Sequence, residues 1–185
     1  VPGPSFARID GVASSLWAAG RQLSAGLIPL TMRRSGQNCA VSSFCTSATT
    51  SHGCAPTIAG LGTPSASAAN GFTLRVDHVD GQVQGLIFFG SNGAQAVPWS
   101  STSTSFLCVK APLQRMGGLF SGGTFGQCDG ALIAQDWNAF MAANPGAFGN
   151  PRSAGQTFDA QGWFRDPPAP KTTNLSNGLH FTLVP

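Results

Sequence analysis

The sequence contains no glutamate and no tyrosine, and only 9% of its 185 residues are charged. Soluble domains usually carry about 25% charged residues, so hydroxyl, amide and backbone groups must cover most of this surface. All the acidic side chains are aspartates, and no two of them stand out as the paired carboxylates that glycoside hydrolysis needs. The composition therefore argues against a glycosidase.

The positive charge is confined to one end of the sequence. Residues 1–37 contain four arginines and one aspartate, whereas residues 38–185 contain six basic and six acidic residues. Binding to nucleic-acid phosphates needs a basic face, and the larger part of the chain is neutral. We therefore expect no nucleic-acid partner.

The sequence also lacks the run of about 20 apolar residues that a transmembrane helix requires, so we expect no transmembrane segment. Residues 12–30 have some of the apolar character of a secretion signal, but Arg21 interrupts them, and Arg33 and Arg34 follow them instead of preceding them. We expect the export signal to lie outside this sequence.

The cysteines are few but closely spaced. Cys45 lies near Cys54, and Cys108 lies near Cys128, in a chain rich in small and polar residues. Such pairs are typical of oxidising compartments and predict a secreted, extracellular protein. Their proximity predicts two short-range disulfides, Cys45–Cys54 and Cys108–Cys128. Cys39 falls outside this framework, as a free thiol or a partner in an intermolecular bond.

Two regions differ in pattern. In residues 1–37 apolar residues recur at helical spacing, at Val12, Leu16, Ala19, Leu23, Leu27 and Leu30. This part is predicted to be an N-terminal extension. It is either a helix packed on the domain, an arm for homo-oligomer formation, or a foreign remnant. Residues 38–185 are predicted to form one disulfide-pinned β domain.

The β pattern is clearest in two segments. Phe72, Leu74 and Val76 alternate with polar residues, as in a half-buried strand, whereas residues 85–90 are almost wholly apolar, as in a central strand. Further short strands are predicted near residues 106–110, 131–133, 158–165 and 179–183, with a helical turn at 136–143. Turn pairs such as Asp80-Gly81 separate them. The pattern predicts an all-β fold, an antiparallel β-sandwich of the immunoglobulin or jelly-roll type.

Several motifs occur together in the β region. They are Cys45 with Gly53-Cys54, the segments 85–90 and 106–110, Ser121-Gly122-Gly123-Thr124 before Cys128-Asp129-Gly130, and the tail segments 136–140, 160–167 and 174–182. Over residues 44–185 the chain resembles a C-terminal β domain of secreted environmental bacterial proteins. The resemblance implies secretion, paired cysteines and a β fold. It transfers no catalytic residue, because that family has no assigned function.

One acidic cluster is a candidate metal site. Asp77 and Asp80 lie three residues apart at a predicted strand end, and such carboxylates bind Ca²⁺ together with backbone carbonyls. The alternative is an ordinary hairpin turn at Asp80-Gly81. A site for zinc or copper, in which His78 joins His52 or His180, is a weaker alternative because the histidines lack ligand spacing.

One serine is a candidate nucleophile. Ser121 lies in a glycine-rich loop whose backbone amides could stabilise an oxyanion. His78 is the candidate base, with His52 or His180 as alternatives, and an aspartate would orient it. The segment lacks the G-x-S-x-G elbow, so a flexible glycine loop is the competing interpretation.

Two tryptophans are candidates for ligand binding. Trp99 follows Pro98 in a Ser/Thr-rich segment, and Trp163 lies on a predicted strand. Indole faces bind the flat apolar faces of sugars, although core packing is the alternative. The favoured hypothesis is a secreted accessory domain that binds an extracellular or cell-surface polymer, carbohydrate above all. The alternatives are a small ester or lactone hydrolase, with or without Ca²⁺, and a self-assembly module acting through residues 1–37.

Overall fold

The computed structural model describes residues 41–185. It contains β1 (Val41–Phe44), β2 (Thr57–Gly62), β3 (Phe72–Val79), β4 (Gln84–Gly90), β5 (Ala94–Pro98), β6 (Phe106–Val109), β7 (Gln114–Phe120), β8 (Gly130–Asp136), α1 (Trp137–Ala143), β9 (Thr157–Arg165) and β10 (Thr173–Thr182). The predictions for residues 1–37, Cys39 and the arm concern residues outside this range.

The strands form two antiparallel sheets and a hairpin. The larger sheet has the order β1-β10-β9-β4-β7, the smaller sheet has the order β2-β3-β8, and β5 pairs with β6. Inward-facing residues of both sheets share one buried apolar core. The predicted antiparallel β-sandwich is confirmed.

The position of β4 in the larger sheet explains why its sequence is almost wholly apolar. Ile87 and Phe89 point into the core between the two sheets. Phe88 and the half-buried Leu86 belong to a second apolar cluster, which also contains Val109 of the β5–β6 hairpin. Since β4 lies between β9 and β7 and is covered on both faces, alternation of polar and apolar residues is lost. The prediction of a central strand is confirmed.

Strand β10 contributes to both clusters because one residue is inserted in it. Leu175 pairs with Trp163, but Gly178 pairs with Gln161, so the register shifts by one residue. This bulge turns Leu175 toward the second cluster and Leu179 toward the main core. Beside it, the buried Gln161 side chain accepts from Cys108 N at 2.9 Å and donates to Phe106 O and Ser176 O. These bonds fix the β5–β6 hairpin on the larger sheet.

The predicted helical turn is α1. The Asp136 carboxylate caps it by accepting from Ala139 N at 3.0 Å. Trp137, the first helical residue, is fully buried against four core phenylalanines at ring-centroid distances of 4.9–6.5 Å. The helix therefore closes one end of the core.

The four predicted disulfide cysteines do form two disulfides, but the predicted partners are wrong. Cys45 bonds Cys108 and Cys54 bonds Cys128, with Cα–Cα distances of 6.3 and 5.3 Å. The error has a simple cause, because nearness along the chain was taken as nearness in space. Each disulfide instead joins the segment that follows β1 to a cysteine much later in the chain. Cys108 lies 63 residues after Cys45, in β6, and Cys128 lies 74 residues after Cys54, just before β8.

Candidate functional site

The site lies where the chain crosses from one sheet to the other. Asp80 follows β3 of the smaller sheet, and Gly81 to Val83 lead into β4 of the larger sheet. The Asp80-Gly81 pair is therefore a connection between sheets and not a hairpin turn. A side chain on Gly81 would overlap the Thr124 backbone, so glycine allows the loop after β7 to pack against this connection.

A cleft of about 500 Å³ opens at this connection. Its walls combine the exposed rings of Phe120 and Phe125, which are 57% and 75% exposed, with polar side chains. The lining residues are His52, Asp80, Gly81, Gln82, Val83, Gln84, Phe120, Phe125, Arg165, Asp166, Pro167 and Pro168. Large exposed aromatic rings beside polar groups commonly mark a ligand-binding surface.

A histidine and an aspartate meet in the cleft. His52 Nδ1 lies 2.9 Å from Asp80 Oδ1, and the two side chains are 37% and 3% exposed. The imidazole and the Phe125 ring make an edge-to-face contact, with ring centroids 5.7 Å apart. Asp80 Oδ2 is buried and has no hydrogen-bond partner in the described chain. The aspartate thus orients the histidine from behind, while the ring reaches the cleft.

Two distant loops are fixed together around this pair. His52 precedes Cys54 by two residues, Phe125 precedes Cys128 by three, and the Cys54–Cys128 disulfide joins the two loops. On the other side, Ser51 donates to the buried Asp166 carboxylate through its backbone N, at 3.0 Å, and through its hydroxyl. The position of His52 is therefore set by covalent and hydrogen-bonded contacts on both flanks.

The charges of the cleft are unequally accessible. Asp166 is buried and also accepts from Asn174 Nδ2 at 2.6 Å, so its carboxylate is occupied by the protein itself. Arg165, in contrast, is exposed at the end of β9. Its guanidinium carbon lies 5.8 Å from the Trp163 ring centroid. Among the residues that line the cleft, Arg165 is thus the exposed and permanently positive side chain.

The candidate nucleophile has a structural role. Ser121 is buried, its Oγ donates to Asp80 O at 2.8 Å, and it accepts from Val83 N at 3.0 Å. Both bonds hold the connection between the sheets. The candidate base, His78, is exposed with a φ of 58° and forms no hydrogen bond with Ser121 in the described structure. The structure does not bring this serine and this histidine together.

The two candidate calcium ligands have separate partners. Asp77 forms an ion pair with Arg75 on the smaller sheet, whereas Asp80 faces His52. Within residues 41–185, no three His, Cys or Asp side chains converge as a metal-binding group. Each of the two predicted ligands thus has its own partner in the protein.

Trp99 and Trp163 both pack on the second apolar cluster, outside the cleft lining. Trp99 is half-buried, its Nε1 donates to Thr173 Oγ1 at 3.1 Å, and Lys171 Nζ lies 4.3 Å from its ring centroid. Trp163 is likewise half-buried below Arg165. Both rings are therefore partly covered by the cluster and by a cation.

Sequence reasoning missed the cleft itself. His52 was one of three candidate bases, while Phe120 and Phe125 were not named as site residues. The sequence signal that could have located the cleft is the position of these residues relative to the cysteines, because a Cys54–Cys128 bond places His52 near Phe125.

A second histidine pair lies elsewhere in the fold. His180 Nδ1 lies 2.8 Å from Asp159 Oδ1, and the side chains are 41% and 3% exposed. These residues face each other across β10 and β9. The pair has the geometry of His52 and Asp80 but does not line the cleft.

No family model, curated protein or solved structure matches this chain. The resemblance to a C-terminal β domain of secreted bacterial proteins therefore stays a prediction. None of the helical structure in residues 41–185 is long and apolar enough to cross a membrane.

Proposed function

We propose that this chain is a secreted domain that binds an extracellular polymer, and that a carbohydrate segment binds in the cleft that His52, Phe120 and Phe125 line. The observation that carries the proposal is the composition of this cleft. Phe120 and Phe125 offer exposed apolar faces, and the exposed Gln82 and Gln84 add amide groups to the same lining. Sugars combine apolar ring faces with hydroxyl groups, so they match such a surface.

Two further features support this role. Both disulfides join distant segments, which favours an oxidising compartment. The cleft is also built on fixed loops, so little ordering is needed when a ligand binds. The proposal places the ligand against the phenylalanines and not against Trp99 and Trp163, whose rings are partly covered by Lys171 and Arg165.

Retention on insoluble polysaccharides tests the proposal. The wild-type chain should be retained on at least one of cellulose, chitin, xylan or peptidoglycan. Phe125→Ala should weaken the retention by about 1–3 kcal/mol, which is about 5–150-fold in affinity, because a large exposed ring is lost.

Ile133→Ala is the matched control, since Ile133 is 55% exposed on β8 and does not line the cleft. Its retention should equal that of the wild type. Failure of the wild type to bind any of these polymers would contradict the proposal. A loss in Trp99→Ala without a loss in Phe125→Ala would move the binding surface to the tryptophan cluster.

A further inference from the structure

The His52–Asp80 pair has the arrangement of a proton-transfer site. With Nδ1 donating to the buried Asp80 carboxylate, Nε2 carries the lone pair and can accept a proton. A histidine held by a buried aspartate is the orienting half of many hydrolytic sites. Pure ligand binding does not need a histidine held in this way.

Nε2 belongs to a ring that lines the cleft and is 37% exposed. It forms no hydrogen bond within the described residues, and it faces Gly126, where an added Cβ would lie 3.9 Å away. Gly126 has a φ of 74°, which favours glycine. The residue beside Nε2 therefore has no side chain that could cover it.

The cleft supplies a positive charge but no side-chain nucleophile. Its described lining contains no Ser, Thr or Cys, and Ser121 is committed to backbone bonds. Arg165 is the exposed cation of the same lining. A hydrolytic reaction here would use water as the nucleophile, with the guanidinium available for a developing negative charge.

The side chains that line the cleft favour acyl-ester hydrolysis over glycoside cleavage. Glycoside cleavage needs two carboxylates that reach the substrate, but Asp80 and Asp166 are buried and bonded to the protein. Acyl-ester hydrolysis needs one base and one group that stabilises the oxyanion. His52 and Arg165 provide this minimum.

We infer that His52, oriented by Asp80, is the general base for hydrolysis of acyl esters bound in the cleft. Nε2 takes one proton from a water molecule while the water oxygen bonds to the acyl carbon. The carbonyl π electrons move to the carbonyl oxygen, beside Arg165. When this tetrahedral intermediate collapses, the C–O bond to the alcohol breaks, and the departing oxygen takes the proton from Nε2. The products are a carboxylic acid and an alcohol, and His52 returns to its starting state.

This activity goes beyond the proposed binding role and does not depend on the polymer being a carbohydrate. The test is hydrolysis of p-nitrophenyl butyrate by the full chain. An exposed imidazole attacks such esters by itself, so a histidine of equal exposure is the necessary control. His180 serves this purpose, because it is 41% exposed and paired with an equally buried aspartate.

His52→Gln should lower kcat by about 10²–10⁴-fold, the usual contribution of a general base, while His180→Gln should match the wild type. Glutamine can still donate to the aspartate in both variants, and urea unfolding checks that both remain folded. Turnover by the wild type should also be slower in D₂O, since a proton moves in the rate-limiting step.

Three results would overturn the inference. They are equal losses in the two glutamine variants, turnover that disappears in a folded Ser121→Ala variant, and a wild type without saturable turnover. Polymer retention without ester turnover would refute this inference and leave the proposed function intact. Turnover that depends on His52 without polymer retention would refute the proposed function and leave this inference intact.

Discussion

The two histidine–aspartate pairs have nearly the same geometry but arise in different ways. His180 and Asp159 are register partners on adjacent strands, so the regular pairing of β10 with β9 places them together. His52 and Asp80 come from two connections, and a disulfide and a hydrogen-bonded loop hold them. A short His–Asp distance is therefore not by itself a sign of function. The surroundings distinguish the pair in the cleft from the pair on the sheet.

The pair in the cleft also carries a cost. Asp80 Oδ2 is one of three buried side-chain atoms without a hydrogen-bond partner in residues 41–185, whereas no atom of Asp159 is among them. Such an unpaired buried acceptor typically costs about 1–3 kcal/mol. A site that exists for ligand or substrate is where such a cost is expected to persist.

The largest expected effect comes from removing the disulfide beside the cleft. Cys54→Ser combined with Cys128→Ser should lower the free energy of unfolding by about 4 kcal/mol, because this bond closes a loop of about 75 residues. The same variant should lose ligand retention, since the loops of His52 and Phe125 are no longer joined. The imidazole signals of His180 in NMR spectra should change little.

The other disulfide is the control for that experiment. Cys45→Ser with Cys108→Ser should cost a similar amount of stability, because its loop is of similar length. Its cysteines do not flank the cleft residues, so retention by the folded protein should persist. Equal loss of retention in both double variants would show that the cleft depends on global stability alone.

A smaller effect is expected at Ser121. Ser121→Ala removes the acceptor for the part-buried Val83 N and the donor to the buried Asp80 O, and should cost about 1–3 kcal/mol. Urea unfolding measures this change. The exposed Ser101→Ala is the control, with an expected change within about 0.5 kcal/mol. Equal midpoints for the two variants would show that Ser121 does not support the Asp80 connection.

The smallest expected effect is on how the free energy of unfolding changes at acidic pH. Asp129 accepts from Thr124 N at 2.7 Å in the loop that carries Phe125, and this bond lowers the pKa of Asp129 below 3.8. A lowered pKa contributes stability above the unfolded value, and this is lost as the pH falls through the folded value. Asp129→Asn should therefore reduce the loss of stability between about pH 5 and 2. Parallel urea titrations of both proteins at several pH values in this range measure the difference, and identical pH profiles would contradict it.

Local patterns predicted much of the sandwich. The alternation in β3 and the apolar run of β4 depend on which faces are covered, and that information is local. Strand β7 was missed because Gly117 and Gly118 interrupt its pattern. The cleft was missed for a different reason. His52, Asp80, Phe125 and Arg165 are far apart in the chain, and only the disulfide and the crossing between sheets bring them together.

The overlapping disulfides also determine how the chain would respond to a protease. A cut between residues 54 and 108 would leave two fragments joined by both bonds, and a cut elsewhere between 45 and 128 would leave them joined by one. Neither bond reaches residues 129–185, which supply β9 and β10 at the centre of the larger sheet. A nick near residue 129 would thus create a two-piece protein joined by sheet pairing and core packing alone. That junction is the natural place to divide the chain for fragment complementation.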